Sequence, residues 1–511
     1  MKDSKGLTVV LAGGGTGGHI YPAIAIAQKL KQDKEIEQIY YVGNPKNLEF
    51  NIVKSESLSF LPITVSGMPR KPDLKLFMWY LFLNIAIIKC IYYFIKVKPD
   101  VIIGTGGYVS GAPLIAGWLT GIPIVIHDPD AHPGVVSRFM AAKANYVSVA
   151  FEQAKKYLNS NKIIVNGNPI RENFSKADKN VALKYFNFDE NKKTILVMGG
   201  SQGAKTINDA LLNCVKNLIT EQNLQIIHQT GKKNYDSYVD ELLKIWPDFE
   251  QNKNYVVRPY FNDMSIPLSC ADLAVARAGS LSISELNICG LPSILVPYPF
   301  AAANHQKFNA LAIEKAGAGI YLDDSDCESD KLFEIITKII HDVDKLALMK
   351  KENLQLAKPD ATHNIVDILK MAARSGKGQN AKMFWVIVIA ILLMLSVFLI
   401  KNIAFDLEIK ELSPQEVVSH NTSDKDYIII DVRESAEYQD GHIKNSTNIP
   451  LSLLLNEYQA IQRKKPIVLV CRSGNRSLKA LSFLKDQGFN NIINLKGGIN
   501  AWQKAGYKLE K

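Results

Sequence analysis

Gly13-Gly14-Gly15-Thr16-Gly17-Gly18-His19 is the stretch from which the fold can be read. An apolar strand, Leu7 to Ala12, runs into it, and a helical pattern from Ala23 to Leu30 leaves it. Glycines in such a turn let backbone N–H groups approach an anion, and the start of the next helix adds partial positive charge. Strand, glycine loop and helix in that order make a cradle for a phosphate or a sugar nucleotide. His19 adds an imidazole able to carry a proton near neutral pH.

Outward from this loop the pattern repeats. Strand-like runs at Gln38–Gly43, Val101–Gly104, Ile122–His127, Ile163–Asn166, Thr194–Met198, Gln225–Gln229, Leu273–Ala276 and Ser293–Val296 alternate with helical stretches. Such alternation predicts parallel sheets covered by helices. Glycine turns recur at Gly104-Thr105-Gly106-Gly107 and Gly199-Gly200-Ser201-Gln202-Gly203. The reading is an α/β chain with two doubly wound, Rossmann-like domains, 1–168 and 169–370. Ligands in such sheets bind beyond the carboxyl ends of the strands, so a cleft between the domains is the natural site.

The chain has 511 residues, 47% of them hydrophobic, and a net charge of +10, enough apolar content for several cores. The basic residues are spread out, which argues against nucleic acid and for an anionic membrane surface. Cys90, Cys214, Cys270, Cys289, Cys327 and Cys471 are scattered without a CxxC, as in a reducing compartment with no disulfide framework. Met1 to Gly6 is polar and the apolar residues after it form a short strand, so no signal peptide is expected.

A polar linker, 371–382, precedes an uncharged apolar run from Met383 to Ile400, bracketed by Lys382 and Lys401. At about 1.5 Å per residue this run just spans a bilayer, so 383–401 is read as one transmembrane helix; a buried core helix is the alternative. The shorter stretch Leu76 to Ile88 contains Asn84 and is flanked by Arg70, Lys71, Lys75, Lys89, Lys96 and Lys98. It reads as a monotopic patch docking on anionic lipid, against the plainer reading of a core helix. Residues 405–511 form a separate small α/β unit with strands at Tyr427–Asp431 and Ile467–Val470 and a helix from Ser477 to Gln487.

Six separated motifs, GGGTGGH at 13–19, GTGGYVSGAP at 104–113, GNPIR at 167–171, GGSQGA at 199–204, RAGSLSISE at 277–285 and NHQKFNA at 304–310, stand in one order. In that order they resemble the MurG family of peptidoglycan N-acetylglucosaminyltransferases. The resemblance covers residues 1 to about 370 and implies the two-domain GT-B fold, with an N-terminal domain on the acceptor and membrane side and a C-terminal domain binding UDP-GlcNAc. It implies inverting transfer of GlcNAc from UDP-GlcNAc to the C4 hydroxyl of undecaprenyl-diphosphate-MurNAc-pentapeptide, lipid I to lipid II. The setting implied is the cytoplasmic face of the bacterial inner membrane, with other cell-wall synthesis proteins as partners. UDP-GlcNAc is the donor substrate, and no cofactor or metal is implied.

Residue by residue, the resemblance makes His19 the general base for the attacking hydroxyl. Thr16, Gly17 and Gly18 line the donor side. Arg171 neutralises the leaving diphosphate, and Ser201 holds a diphosphate oxygen at a helix start. Phe261 meets the uracil through its backbone. Leu281, Ser282, Ile283, Ser284 and Glu285 form the nucleotide segment, with Glu285 accepting from ribose hydroxyls, and Gln306 bonds the donor sugar. His127-Asp128-Pro129-Asp130 stands where many members have His-Glu-Gln-Asn. Asp130 is expected in the cleft; Asp128 and Asp130 also spell D-x-D, a metal motif of a different transferase class. Ala303 replaces an acidic residue common before the Asn-His-Gln group.

Asp431-Val432-Arg433, Gly441-His442-Ile443, Asn448-Ile449-Pro450, Cys471-Arg472-Ser473-Gly474-Asn475-Arg476-Ser477 and Gly497-Gly498 resemble a single rhodanese domain. Cys471 ends a strand and precedes a helix, where loop N–H groups and Arg472 and Arg476 favour a thiolate. The resemblance implies a persulfide on Cys471 cradled by Arg472, Ser473, Gly474, Asn475 and Arg476, with Asp431 and Arg433 bracing the loop. A single span between the two parts would put the second outside if the transferase faces the cytosol, and flanking charge does not choose a side. Two other readings stay open: a GT-B transferase for another lipid such as diacylglycerol, and a C-terminal half that only anchors and docks.

Overall fold

The computed structural model describes residues 6–69, 74–170, 177–200, 202–376, 410–421, 427–462 and 465–511. They fall into two units, Met1–Trp385 and Val386–Lys511. Arg171, Ser201 and the Met383–Lys401 run lie outside the described residues.

The first unit has two lobes. In the first lobe, β1 (Leu7–Ala12), β2 (Ile36–Gly43), β3 (Ser59–Pro62), β4 (Val101–Gly104), β5 (Ile124–Asp128), β6 (Tyr146–Val149) and β7 (Ile163–Val165) pair in parallel in the order β3-β2-β1-β4-β5-β6-β7. In the second, β8 (Thr194–Met198), β9 (Gln225–Gln229), β10 (Tyr255–Arg258), β11 (Leu273–Ala276), β12 (Ser293–Leu295) and β13 (Gly319–Tyr321) follow the order β10-β9-β8-β11-β12-β13. The strand order reverses between β1 and β4 and between β8 and β11, and a crevice opens at such a reversal. The glycine loops 13–18 and 104–107 leave β1 and β4 and meet there. Gly107 sits at φ +73, and a Cβ on it would lie 2.1 Å from the Gly14 carbonyl oxygen, so no other residue fits.

The lobe boundary differs from expectation. The helix Ala361–Arg374 returns to the first lobe, where Ile365, Val366, Ile368, Leu369 and Ala372 join the core built on Val9, Leu11, Ile24, Ile103 and Val125. Lys370 meets Asp33 at 2.8 Å and Arg374 meets Glu35 at 2.5 Å. The chain therefore crosses between lobes twice, once at Asn168–Ile170 and once just before Ala361.

The apolar stretch at Leu76–Ile88 belongs to a longer helix, Leu74–Val97. Ala86, Cys90, Ile91 and Phe94 face the lobe, while Tyr80, Phe82, Ile85, Ile88, Tyr92 and Ile95 are exposed. Its Met78–Val97 window has a mean hydropathy of 1.6 and is only 22% buried, so it is not the plain core helix of the alternative reading. Among the described residues it is the one helix long and apolar enough to cross a membrane.

The second unit is a parallel sheet of β14 (Lys410–Leu412), β15 (Ile428–Asp431), β16 (Thr447–Asn448), β17 (Ile467–Val470) and β18 (Ile492–Leu495), in the order β14-β18-β17-β15-β16. Helix Asn475–Asp486 covers it, with Ala480, Leu481 and Leu484 packed on Ile467 and Leu469. Cys471 sits between β17 and that helix.

Candidate active sites

A cleft of about 860 Å³ lies between the lobes. Thr16, Gly17, Gly18 and Tyr21 form its first-lobe wall. Facing them are Gly199, Gly200, Gln202 and Gly203 after β8, Arg277 and Gly279–Ser282 after β11, then Glu285, Tyr298 and Gln306. Three helices start at this cleft: Gly17–Lys31, Lys205–Thr220 and Ser280–Cys289. Their N-cap residues Thr16, Ala204 and Gly279 make no side-chain capping bond, which leaves the first N–H groups open to an oxygen ligand.

The two glycines of the β8 loop serve different ends. A Cβ on Gly200 would meet nothing within 4 Å, so its backbone faces open space at φ +77. A Cβ on Gly203 would lie 2.0 Å from the Thr230 carbonyl oxygen, so this glycine allows the loop to pack. Gln229 ties two second-lobe loops together: its amide donates to the Gly200 carbonyl at 3.2 Å and its carbonyl oxygen accepts from Phe261 N–H at 2.8 Å.

Of the residues singled out from sequence, Thr16, Gly17, Gly18, Leu281, Ser282, Glu285 and Gln306 line the cleft. Five do not, for physical reasons. Phe261 is buried in the second-lobe core, and its N–H is already bonded to Gln229. Ile283 points into the same core. Ser284 turns to Asn168, which donates to its hydroxyl at 3.1 Å. Asp130 is buried and bonded within the lobe junction, with Asn309 donating to its Oδ1 at 2.9 Å and His305 3.3 Å from its Oδ2. His19 is half-buried beside the cleft wall, its ring on the second glycine loop; a Cβ on Gly106 would lie 2.5 Å from its Nδ1. That Nδ1 is buried without a hydrogen-bond partner. Asp128 is engaged by backbone, its carboxylate accepting from Asp130 N–H at 3.2 Å and Gly134 N–H at 3.1 Å. Burial and the nearby Asp130 push its carboxyl up.

Three residues inside the quoted motifs were not singled out. Arg277 lines the cleft, donates to the Val296 and Pro297 carbonyls at 3.2 and 3.1 Å, and pairs with Asp324. Asn309 also accepts from Ala131 N–H at 2.7 Å, linking the lobes. Asn168 donates to the carbonyls of Pro129 and Ser280 at 3.3 and 3.2 Å, and its oxygen meets His127 Nε2 at 3.1 Å. Since that oxygen can only accept, His127 carries its proton on Nε2, and Nδ1 accepts from Ser148 at 3.1 Å. Burial pushes the His127 imidazole down to about 4, so it is neutral. Neither asparagine carries a local sequence signal, because each is fixed by partners more than a hundred residues away.

The N-terminal domain signature of glycosyltransferase family 28 matches residues 9–149, and the C-terminal domain signature of that family matches 194–365. A UDP-N-acetylglucosamine--N-acetylmuramyl-(pentapeptide) pyrophosphoryl-undecaprenol N-acetylglucosamine transferase of Desulforamulus reducens is 38% identical over 367 residues, 70% of this chain and 97% of the relative. The protein of the same name from Halothermothrix orenii is 37% identical over 371 residues, 72% of this chain and 100% of the relative. The chain belongs to this transferase family, MurG. The crystal structure of Acinetobacter baumannii MurG aligns with a TM-score of 0.58 at 27% identity, over 71% of this chain and 99% of that one. The MurG-like part thus ends before the second unit, whose residues 413–505 form a rhodanese-like domain.

In that domain Cys471 is buried, and its sulfur accepts from Gly474 N–H at 3.1 Å and the Ser477 hydroxyl at 3.3 Å. Burial alone would push the thiol up. The Ser477 hydroxyl and the N–H groups of Ser477, Ser473 and Gly474 outweigh it and hold the thiol below its usual value. The loop is anchored from the far side, since Ile499 and Asn500 N–H donate to the carbonyls of Cys471 and Arg472 at 2.8 and 3.1 Å. Arg472, Ser473 and Asn475 are exposed around the sulfur. Arg476 is held elsewhere than expected, forming a two-point ion pair with Glu437 at 2.6 and 2.8 Å. Asp431 and Arg433 form a buried pair that holds the Gly441 carbonyl at 2.8 Å, so they brace the 433–441 segment and not the cysteine loop.

Proposed function

We propose that the interlobe cleft transfers GlcNAc from UDP-GlcNAc to the C4 hydroxyl of undecaprenyl-diphosphate-MurNAc-pentapeptide, with inversion. The observation that carries this reading is the convergence of three uncapped helix starts and the carboxylate of Glu285 on one cleft. The backbone N–H groups around Gly200 and Gly17 take the diphosphate, and Glu285 takes the ribose. The C4 oxygen attacks the sugar C1 as the C1–O bond to UDP breaks, and UDP leaves with the electron pair. The charge growing on UDP meets N–H groups already aimed at it, joined by Arg171, and this proposal assigns no metal. His19, whose ring lies beside the glycine loops, is assigned to receive the hydroxyl proton.

The lipid acceptor is consistent with the exposed apolar helix Leu74–Val97, which carries Lys89 and Lys96 and would lie on an anionic membrane. The rhodanese-like domain is proposed to carry sulfur as a persulfide on Cys471, whose loop already stabilises an anionic sulfur. Incubating the full chain with labelled UDP-GlcNAc and either lipid I or diacylglycerol tests the transferase. Label in the lipid I product supports it, and label only in diacylglycerol overturns it. Cyanide-coupled thiosulfate turnover that disappears in Cys471→Ala is the expected sulfurtransferase result; unchanged turnover refutes that role.

A further inference from the structure

We propose that Asp130 and His305 form an ionic latch across the lobe junction, making His305 a positioning residue that holds the donor wall in its closed arrangement. This rests on the transferase reading above and deepens it. Asp130 belongs to the first-lobe loop after β5. His305 opens the second-lobe helix His305–Lys315, with its Nδ1 3.3 Å from Asp130 Oδ2.

The latch sits on one face of a rigid element. His305, Phe308 and Asn309 fall at i, i+3 and i+4. All three engage the same first-lobe loop: His305 meets Asp130, Phe308 stacks on His132 at 4.8 Å between centroids, and Asn309 bonds both Asp130 and Ala131. The next residue, Gln306, lines the cleft, and its oxygen accepts from Tyr298 N–H at 2.8 Å. A shift of this helix therefore moves the donor wall. The approach to it is held in an unusual conformation, because Ala303 and Asn304 both take left-handed backbone at φ +50 and +55. Two such non-glycine residues in a row persist only where neighbouring contacts hold them.

The charges agree with the geometry. Burial opposes a charge on Asp130, yet the hydrogen bond and charge of His305, the charge of His19 and the Asn309 amide hold its carboxyl at about 2. Burial also opposes a charge on His305, but Asp130 and, more distantly, Asp128 raise the imidazole above its usual value. His132 and Arg138 are the other titratable groups facing this cluster. Asp130 thus stays ionised through the working range. The latch is complete below the His305 pKa and opens as pH rises through it.

UDP binding by calorimetry and kcat/KM for UDP-GlcNAc, measured from about pH 6 to about pH 9 on the full chain, test this. For the wild type the expected result is a loss of UDP affinity of about fivefold as the imidazole deprotonates. His305→Gln keeps a donor without the charge and is expected to flatten the profile, as is the double variant Asp130→Asn, His305→Gln. A His305→Gln profile that still falls with pH, or one lowered equally at every pH, overturns the latch. Absence of UDP uptake by the wild type is a different signature and overturns the transferase reading on which the latch depends.

Discussion

Asn168→Ala isolates what holds the lobe crossover. The Asn168 side chain is buried and makes four contacts, to His127, Pro129, Ser280 and Ser284. Not all four partners are left empty by its removal. The Ser280 carbonyl keeps the Ser284 hydroxyl at 2.9 Å, and Ser284 needs no acceptor lost here. The His127 N–H and the Pro129 carbonyl, both in a buried setting, lose a partner without replacement. An orphaned buried polar group costs about 1–3 kcal/mol, so the pair costs roughly 3 kcal/mol. For a unit the size of Met1–Trp385, unfolding entropy is about 0.8 kcal/mol per kelvin, which makes the fall in Tm about 4 °C. Differential scanning calorimetry of the full chain reads it. Ser284→Ala is the control, expected to move Tm by about 1 °C or less, because the Ser280 carbonyl keeps the Asn168 amide. Equal shifts in the two variants would refute the assignment of the cost to His127 and Pro129.

Ser477→Ala removes the one side-chain donor to the Cys471 sulfur among the described residues, a charge-assisted bond when the sulfur is ionised. Iodoacetamide alkylation of Cys471 at mildly acidic pH should slow about tenfold, since about 1.4 kcal/mol corresponds to a factor of ten in thiolate population. Gly203→Ala forces a Cβ to within 2.0 Å of the Thr230 carbonyl oxygen at φ +78, so the β8 loop must move. UDP affinity by calorimetry should fall about tenfold or more, while the far-UV circular dichroism spectrum stays unchanged. Arg476 holds the Glu437 carboxyl at about 2, against an ordinary 4.5. A depressed carboxyl stabilises the fold above its unfolded pKa and loses that contribution as pH falls toward the folded value. The rhodanese-like domain should therefore lose stability between about pH 4.5 and about pH 2, more steeply than Glu437→Gln, in acid-unfolding curves.

Strands with continuous apolar sequence were legible in the sequence because burial on both faces leaves no room for polar residues. Val101–Gly104, Leu273–Ala276 and Ile467–Val470 have the boundaries read from sequence on that ground; Thr194–Met198 and Gln225–Gln229 match as well, although Thr194, Gln225, His228 and Gln229 are buried polar exceptions held by hydrogen bonds. Short edge strands such as β3 and β10 were not picked out, because half-exposed strands of this length carry little pattern. The glycine loops were legible because their backbone demands glycine wherever they occur. The lobe junction was not. Asn168 and Ser280 are separated by 112 residues and Asp130 and Asn309 by 179, and no local pattern reports such pairings. The same limit explains why Asp130 was expected to face the ligand. The residue type suits either role, and only the position of a distant helix decides between them. The amphipathic helix Ala361–Arg374 is evident as a helix, but nothing within it says which lobe it covers.

That returning helix has a mechanical consequence. The donor lobe is effectively an insertion, tethered at its entry and its exit, and a body pinned at two points swings about the axle joining them. The two tethers run side by side, since a Cβ on Gly167 would lie 2.3 Å from Lys358 Cβ, so they act like the paired leaves of a door hinge. Whatever follows Gly376 is attached to the frame and not to the door.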